Sequence, residues 1–400
     1  MVFCCVAILA MTGAVFGADA EGTVRLYIDA DRSGAKAAGD AIEWGLRTAL
    51  SEVGDRLGGF QAEIVPLDHR GNSRRSLRHL ETFARDDRAL ALFAGLHSPP
   101  LLENRDYINR NEILVLDPWA AAGPITRPPE GENWIFRLSI DDARAGYVIA
   151  REAVAEGFRR PYLLLEDTGW GKSNETTMTR ALAELGVEPV GVEWFNWNLG
   201  ATGARIILRK IADTGADVVF LVANAPEGKT IAAAMAALPR QRRLPLRSHW
   251  GITGGDFPDV IDARMRAQID LLFLQTRFSF IGGPADPFST GVLAAARQAT
   301  PIRTAYDFKA PTGFVHAYDL TRLLIAAVEQ TGLRGDVRAD RRRLRAALEG
   351  LEKPVRGLIK TYVKPFGPYS SEMSAAHEAL GIGDFVMGRY GEQGEILLPD

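Results

Sequence analysis

The residues 166–173, EDTGWGKS, follow an apolar run and lead into a helical pattern, and so imitate a phosphate loop. The spacing G-x-x-x-x-G-K-[ST] requires a glycine where this chain has Glu166, and a carboxylate there repels a phosphate. The next strand-like run, VVFLVAN, ends on Asn224 rather than on an aspartate that would hold magnesium, so nucleotide hydrolysis is set aside. Ser33 to Lys36 has the S-x-x-K spacing of penicillin-recognising enzymes but lacks their S-D-N and K-T-G companions. His69, His79, His97, His249, His316 and His377 show neither H-x-x-x-H nor H-E-x-x-H spacing, so no metal site is indicated. With no nucleophile or paired carboxylates that converge, neither catalysis nor a cofactor is expected.

Binding chemistry is easier to place. The stretch 91–100, ALFAGLHSPP, is a strand that runs through Gly95 into His97, Ser98 and two prolines. A helix starting at Ser98 would turn free N–H groups and the positive end of its dipole outward, an arrangement that suits a carboxylate. The Ser98 hydroxyl can cap that helix or donate to an anion, and Pro99 and Pro100 fit a first turn that needs no donors. Trp119, Trp170 and Trp250 fall at or just past other strand ends, where they would either wall a cleft or pack in the core. His97 and His249 can donate to a carboxylate, or serve as ordinary hydrogen-bonded residues. Asp141 and Asp142 precede a helical segment and would cap it or face a ligand.

Those strand ends need a framework. Four hundred residues, 46% of them apolar, fill two ordinary domains. A net charge of −3 and scattered arginines exclude a nucleic-acid partner, and Arg341 to Arg345 read as a solvated helix face. The first 20 residues form an uncharged apolar run up to Asp19 and end in Ala18-Asp19-Ala20, which reads as an export signal cut near Ala20. Cys4 and Cys5 both lie inside it, so the mature chain would have no thiol. From residue 21, β-rich runs at 23–29, 61–68, 89–95 and 112–117 alternate with helical patterns, the first helix at 37–53; the run 134–142 closes the series. The rhythm restarts with strands at 161–167, 187–195, 216–224 and 244–251, and with helices at 143–156, from Lys172, at 202–213 and at 227–238. Two tandem series imply an α/β fold of two doubly wound lobes with parallel sheets covered on both faces. A further strand at 270–278 precedes helices at about 286–299, 310–331 and 338–350, which must return to the first lobe to find a packing surface.

At this level the chain resembles the exported solute-binding proteins of the leucine/isoleucine/valine-binding type, which serve ABC importers. The likeness rests on GDAIEWGLRTALSEVG (39–54), LDHRGNSRRSLRHLETF (67–83), AGLHS (94–98), ILVLDPWAAAGPIT (113–126), FRLSIDDARAG (136–146), DTGWGKS (167–173), GADVVFLVANAPEG (215–228) and TGFVHAYDLTRLLIAAVEQTG (312–332). It implies two Rossmann-like lobes, 21–140 with 277–354 and 141–276 with 355–400, joined by three hinge crossovers around a ligand cleft. It also implies a small-molecule ligand, an inner-membrane permease as partner, a periplasmic location and a monomer. Carried onto this chain, the ligand would meet His97, Ser98, Trp119, Ala120, Ala121 and Asp142, and the second lobe would close with Trp170, Asn224 and Trp250. Two departures matter: Ala121 stands where the amino-acid binders have a threonine, and SHWG (248–251) lacks their ammonium-binding acid. An unpaired ammonium in a closed cleft would cost several kcal/mol. The expected ligand is therefore a small carboxylate with an apolar or aromatic body, or an amino-acid-like solute; the alternatives are an amide, betaine or alcohol-derived solute, and a sensor that signals to a membrane receptor or kinase.

Overall fold

The computed structural model describes residues 22–282 and 286–399. The expected export signal and its cut near Ala20 lie outside the described residues.

The first lobe is built on β1 (Thr23–Ala30), β2 (Arg56–Leu57), β3 (Phe60–Asp68), β4 (Ala89–Ala94), β5 (Val115–Asp117) and β6 (Ile135–Arg137), in the sheet order β2-β3-β1-β4-β5-β6. All its pairs are parallel except the β2-β3 hairpin, which sequence periodicity does not reveal. β4 and β5 are buried at every position, as strands covered on both faces must be. The second lobe carries β7 (Pro161–Glu166), β8 (Gly191–Phe195), β9 (Val218–Val222), β10 (Leu246–Ser248) and β11 (Leu271–Thr276). Two more strands follow the short ribbon β12 (Val355–Arg356) and β13 (Thr361–Tyr362): β14 (Phe385–Tyr390) and β15 (Ile396–Leu397). Both join the second sheet, whose order is β15-β14-β11-β10-β9-β7-β8. Among the described residues, no helix is long and apolar enough to cross a membrane.

Helix Pro311–Thr331 does return to the first lobe. It crosses helix Lys36–Ser51 so closely that a Cβ on Gly45 would sit 2.3 Å from the Phe314 carbonyl oxygen. The helix expected from Lys172 starts earlier, at Gly169, because the Thr168 hydroxyl caps it by accepting the Gly171 N–H. Gly171 itself is required, since a Cβ there would fall 1.8 Å from the Glu166 carbonyl oxygen.

Residues 355–380 stay on the first lobe, held by two buried groups that need them. Asp319 on helix Pro311–Thr331 accepts the N–H groups of Leu358 (2.6 Å) and Ile359 (3.1 Å) and the Tyr362 hydroxyl (2.7 Å). Further on, His377 stacks on Phe136 at 3.9 Å and the Ala379 N–H donates to the Arg137 carbonyl. The third crossover therefore lies between Leu380 and Phe385, where β14 enters the second sheet antiparallel to β11.

Arg137 organises the crossovers. Fully buried, it donates to both Glu378 oxygens (2.9 and 2.6 Å), to Asp141 (3.1 Å) and to the carbonyls of Ala120 and Ala122 (3.2 and 2.9 Å). Arg127 also pairs with Asp141. One guanidinium thus ties the first crossing, the third crossing and the turn after β5 together.

Candidate binding cleft between the lobes

The carboxyl ends of β1, β4 and β5 face those of β7, β9 and β10, the places where an open α/β sheet leaves backbone uncommitted. Between them lies a cavity of about 260 Å3. Asp31, Arg70 and His97 line it from the first lobe, and Trp197, Asn224 and Glu227 from the second.

His97 precedes helix Ser98–Arg110, and its Nε2 lies 3.2 Å from Asp31 Oδ2. Asp31 Oδ1 accepts the N–H groups of Ser33 (3.0 Å) and Gly34 (2.7 Å). Burial alone would raise the Asp31 pKa, but the bonds from His97, Gly34 and Ser33 outweigh it and hold the carboxylate well below the usual range. On the opposite wall, Glu227 accepts the Asn198 N–H at 2.8 Å. Asn224 donates through Nδ2 to the buried Glu166 at 3.0 Å, and burial pushes the Glu166 carboxyl above its ordinary value. The Trp197 ring lies 5.1 Å from that of His97, so the two aromatic walls meet across the gap.

The remaining expected site residues are outside the cavity lining. Ser98 does not cap its helix; its Oγ accepts the Ala122 N–H at 3.2 Å, stitching the two first-lobe turns together. The amides of Trp119 and Ala120 are taken by Asp117 Oδ1 (3.1 and 2.8 Å), whose carboxyl burial pushes up to about 7. The protein's own acid thus occupies these two amide donors. Ala121 accepts the Asp142 N–H through its carbonyl, and Asp141 rather than Asp142 caps the following helix. Asp142 Oδ1 instead accepts from Trp170 Nε1 (3.3 Å) and pairs with His249 Nε2 (3.0 Å), all within the second lobe. Trp250 meets Trp119 across the lobes at 6.0 Å and His316 at 5.2 Å. The deep end of the cleft is therefore filled by the protein's own rings, and the open volume lies farther out. Of the nine expected contacts, only His97 and Asn224 line it.

Asp31, Arg70, Trp197 and Glu227 were not anticipated. Asp31 had a signal, since it directly follows β1, as His97 and Asn224 come within three residues of the ends of β4 and β9. Arg70 and Trp197 lie two residues past β3 and β8, no farther than Asn224 is from β9, and Glu227 sits in the first turn of the next helix; which way these side chains face depends on tertiary packing.

His316 links the lobes at the dry end. Its Nδ1–H donates to the Pro118 carbonyl (2.9 Å), which leaves Nε2 to accept from the Thr276 hydroxyl (3.2 Å). Burial lowers its pKa from 6.5 to about 4. Between those values the unfolded chain binds the proton and the native state does not, so stability falls as pH falls through that window. The loss attributable to this one ring is about 3 kcal/mol. Denaturant titration from pH 7 to 4 should show the stability gap between wild type and His316→Asn shrinking by that order; a gap constant with pH would contradict it.

A family model described as periplasmic binding protein matches residues 27–379. Among curated protein sequences, none matches this chain. Several solved structures share the fold. A solute-binding protein of an ABC transporter from R. palustris, in complex with 4-hydroxybenzoate, is 17% identical with a TM-score of 0.75, covering 94% of this chain and 96% of its own. A type 1 periplasmic binding protein from Bordetella pertussis is 15% identical with a TM-score of 0.77, over 94% and 99%. A leucine-binding protein from Thermotoga maritima is 15% identical with a TM-score of 0.71, over 94% and 98%.

Proposed function

This chain belongs to the periplasmic binding protein family, and from that premise we propose that it captures a small solute in the periplasm and delivers it to the inner-membrane permease of an ABC importer. It acts as a monomer and does no covalent chemistry. The observation that carries this reading is the cavity walled by side chains from both lobes. A ligand shifts an opening equilibrium only through contacts it makes in one state and not the other. A solute touching Asp31 and His97 on one side and Trp197, Asn224 and Glu227 on the other makes its full set of contacts only when the lobes meet.

At about 260 Å3 the space suits a solute of amino-acid size. The R. palustris relative is in complex with 4-hydroxybenzoate and the T. maritima relative is a leucine-binding protein, and both ligands are molecules of this scale. An amino-acid-like solute fits this chain better than a bare carboxylate, because the amides of Trp119 and Ala120 are already occupied by Asp117.

Thermal-shift screening of the mature chain against amino acids, small carboxylates, amines and amides tests the reading. A ligand at 100 times its Kd adds about 2.7 kcal/mol of stability, a shift of several degrees at most. The same ligand should shrink the radius of gyration in solution scattering, and Trp197→Ala should abolish both responses. A chain that neither stabilises nor closes with any small solute would sink the proposal.

A further inference from the structure

We infer that the captured solute carries a cationic nitrogen, held between Asp31 of the first lobe and Glu227 of the second; this rests on the solute-binding reading above and specifies its ligand class. The charges lining the cavity do not cancel. Arg70 is paired with Asp68, and Asp256 with Lys229, which leaves Asp31 and Glu227. Among the described residues neither has a lysine or arginine within ion-pair distance, and Asp31 has only the His97 ring. Glu166 lies just behind, through Asn224.

A second observation points the same way. The His97 side chain is only 9% exposed, lines the cavity, and leaves its Nδ1 without a hydrogen-bond partner. In the neutral ring with Nε2–H donating to Asp31, Nδ1 bears a lone pair and can only accept. The cavity therefore presents two carboxylates, with the unpartnered His97 Nδ1 buried beside them, and carboxylates call for N–H donors. The indole and imidazole rings, 5.1 Å apart, add a surface suited to the carbon skeleton beside a cation.

Closure gives the charge arrangement its function. Asp31 and Glu227 belong to opposite lobes, so bringing the lobes together brings like charges together in a space being emptied of water, where their repulsion grows. A cationic nitrogen placed between them reverses the sign of that contribution. An anion would add to the repulsion, so the same pair selects against carboxylates that lack an amine.

The test uses matched skeletons: benzylamine against benzoate, 3-methylbutylamine against 4-methylpentanoate, and leucine as the zwitterion of the second pair. Melting shifts are expected with at least one of the amines and with neither plain acid. Binding of the responding amine should weaken about 10- to 100-fold in Glu227→Gln, which keeps the oxygen that accepts the Asn198 N–H. Asp31→Asn, which can still accept from Ser33 and Gly34, should weaken it likewise and serves if Glu227→Gln does not fold. A shift with either plain acid, or an amine affinity unchanged in both variants, overturns the cation assignment while leaving solute capture standing. Silence from every amine overturns it too; silence from every small solute in the wider screen, with no change in radius, removes solute capture as well.

Discussion

Replacing Arg137 with methionine should cost about 3–5 kcal/mol, because it strands two buried carboxylates rather than merely deleting a bond. Glu378 would keep Thr126 and a 3.6 Å approach from Arg127, and Asp141 would keep Arg127; neither would retain the guanidinium that now faces both. The carbonyl of Ala120 would lose its side-chain donor at the same time, and that of Ala122 would keep only the Ile125 N–H. The stranded acids can relieve their burial by taking up protons, so the deficit should be smaller at pH 5 than at pH 8. The double variant Arg137→Met with Glu378→Met should lose less than the two single losses added together, since it removes one of the two carboxylates that depend on Arg137. Urea unfolding of the four proteins at both pH values measures all of this. An Arg137→Met loss below 1 kcal/mol would mean that water reaches the cluster and that the crossings are held by something else.

Trp119 carries the second large effect. Its ring is 1% exposed, packs on Gly313, where a Cβ would lie 2.7 Å from it, and meets Trp250 of the opposite lobe. Truncation to alanine should cost about 3 kcal/mol, the low end for a buried aromatic, because the indole N–H has no partner and its removal offsets part of the lost packing. Trp119→Phe keeps most of the ring and deletes the unpaired donor, so it should cost less than about 1 kcal/mol. Part of the alanine loss belongs to lobe closure, and the open fraction seen by solution scattering should rise in Trp119→Ala but not in Trp119→Phe. Equal losses in the two variants would show that the N–H, and not the ring, is what matters.

Much of the architecture was readable because it rests on periodic patterns. Strand and helix alternation placed nearly every element of both lobes, and the absence of any early surface for helix Pro311–Thr331 foretold its return to the first lobe. Residues 355–380 escaped because their attachment depends on partners far along the chain, Glu378 with Arg137 and Leu358 with Asp319, which no local period encodes. In FRLS (136–139) Arg137 looks like one solvated charge on a strand, and only its partners make burial tolerable.

The cleft was legible to the extent that strand ends are. His97 and Asn224 come within three residues of the ends of β4 and β9 and do line the cavity. The tryptophans were harder, because a ring at a strand end can face a solute or another ring, and Trp119 and Trp250 chose each other. The acid missing from SHWG is supplied instead by Glu227, in the first turn of helix Ala225–Ala236, and by Asp31 across the cleft. That is a trade between loops of different lobes, and spacing within either one cannot show it.

The strands that finish the second sheet, β14 and β15, are made last, while the helix that covers the first lobe arrives only after β11. Neither half can bury its core until the segments that complete it, helix Pro311–Thr331 for the first and β14 and β15 for the second, have left the ribosome, so a growing chain offers chaperones sticky, uncompleted sheets until then. Clipping its final dozen or so residues would wound the half whose other strands were finished long before, without touching a single cavity wall.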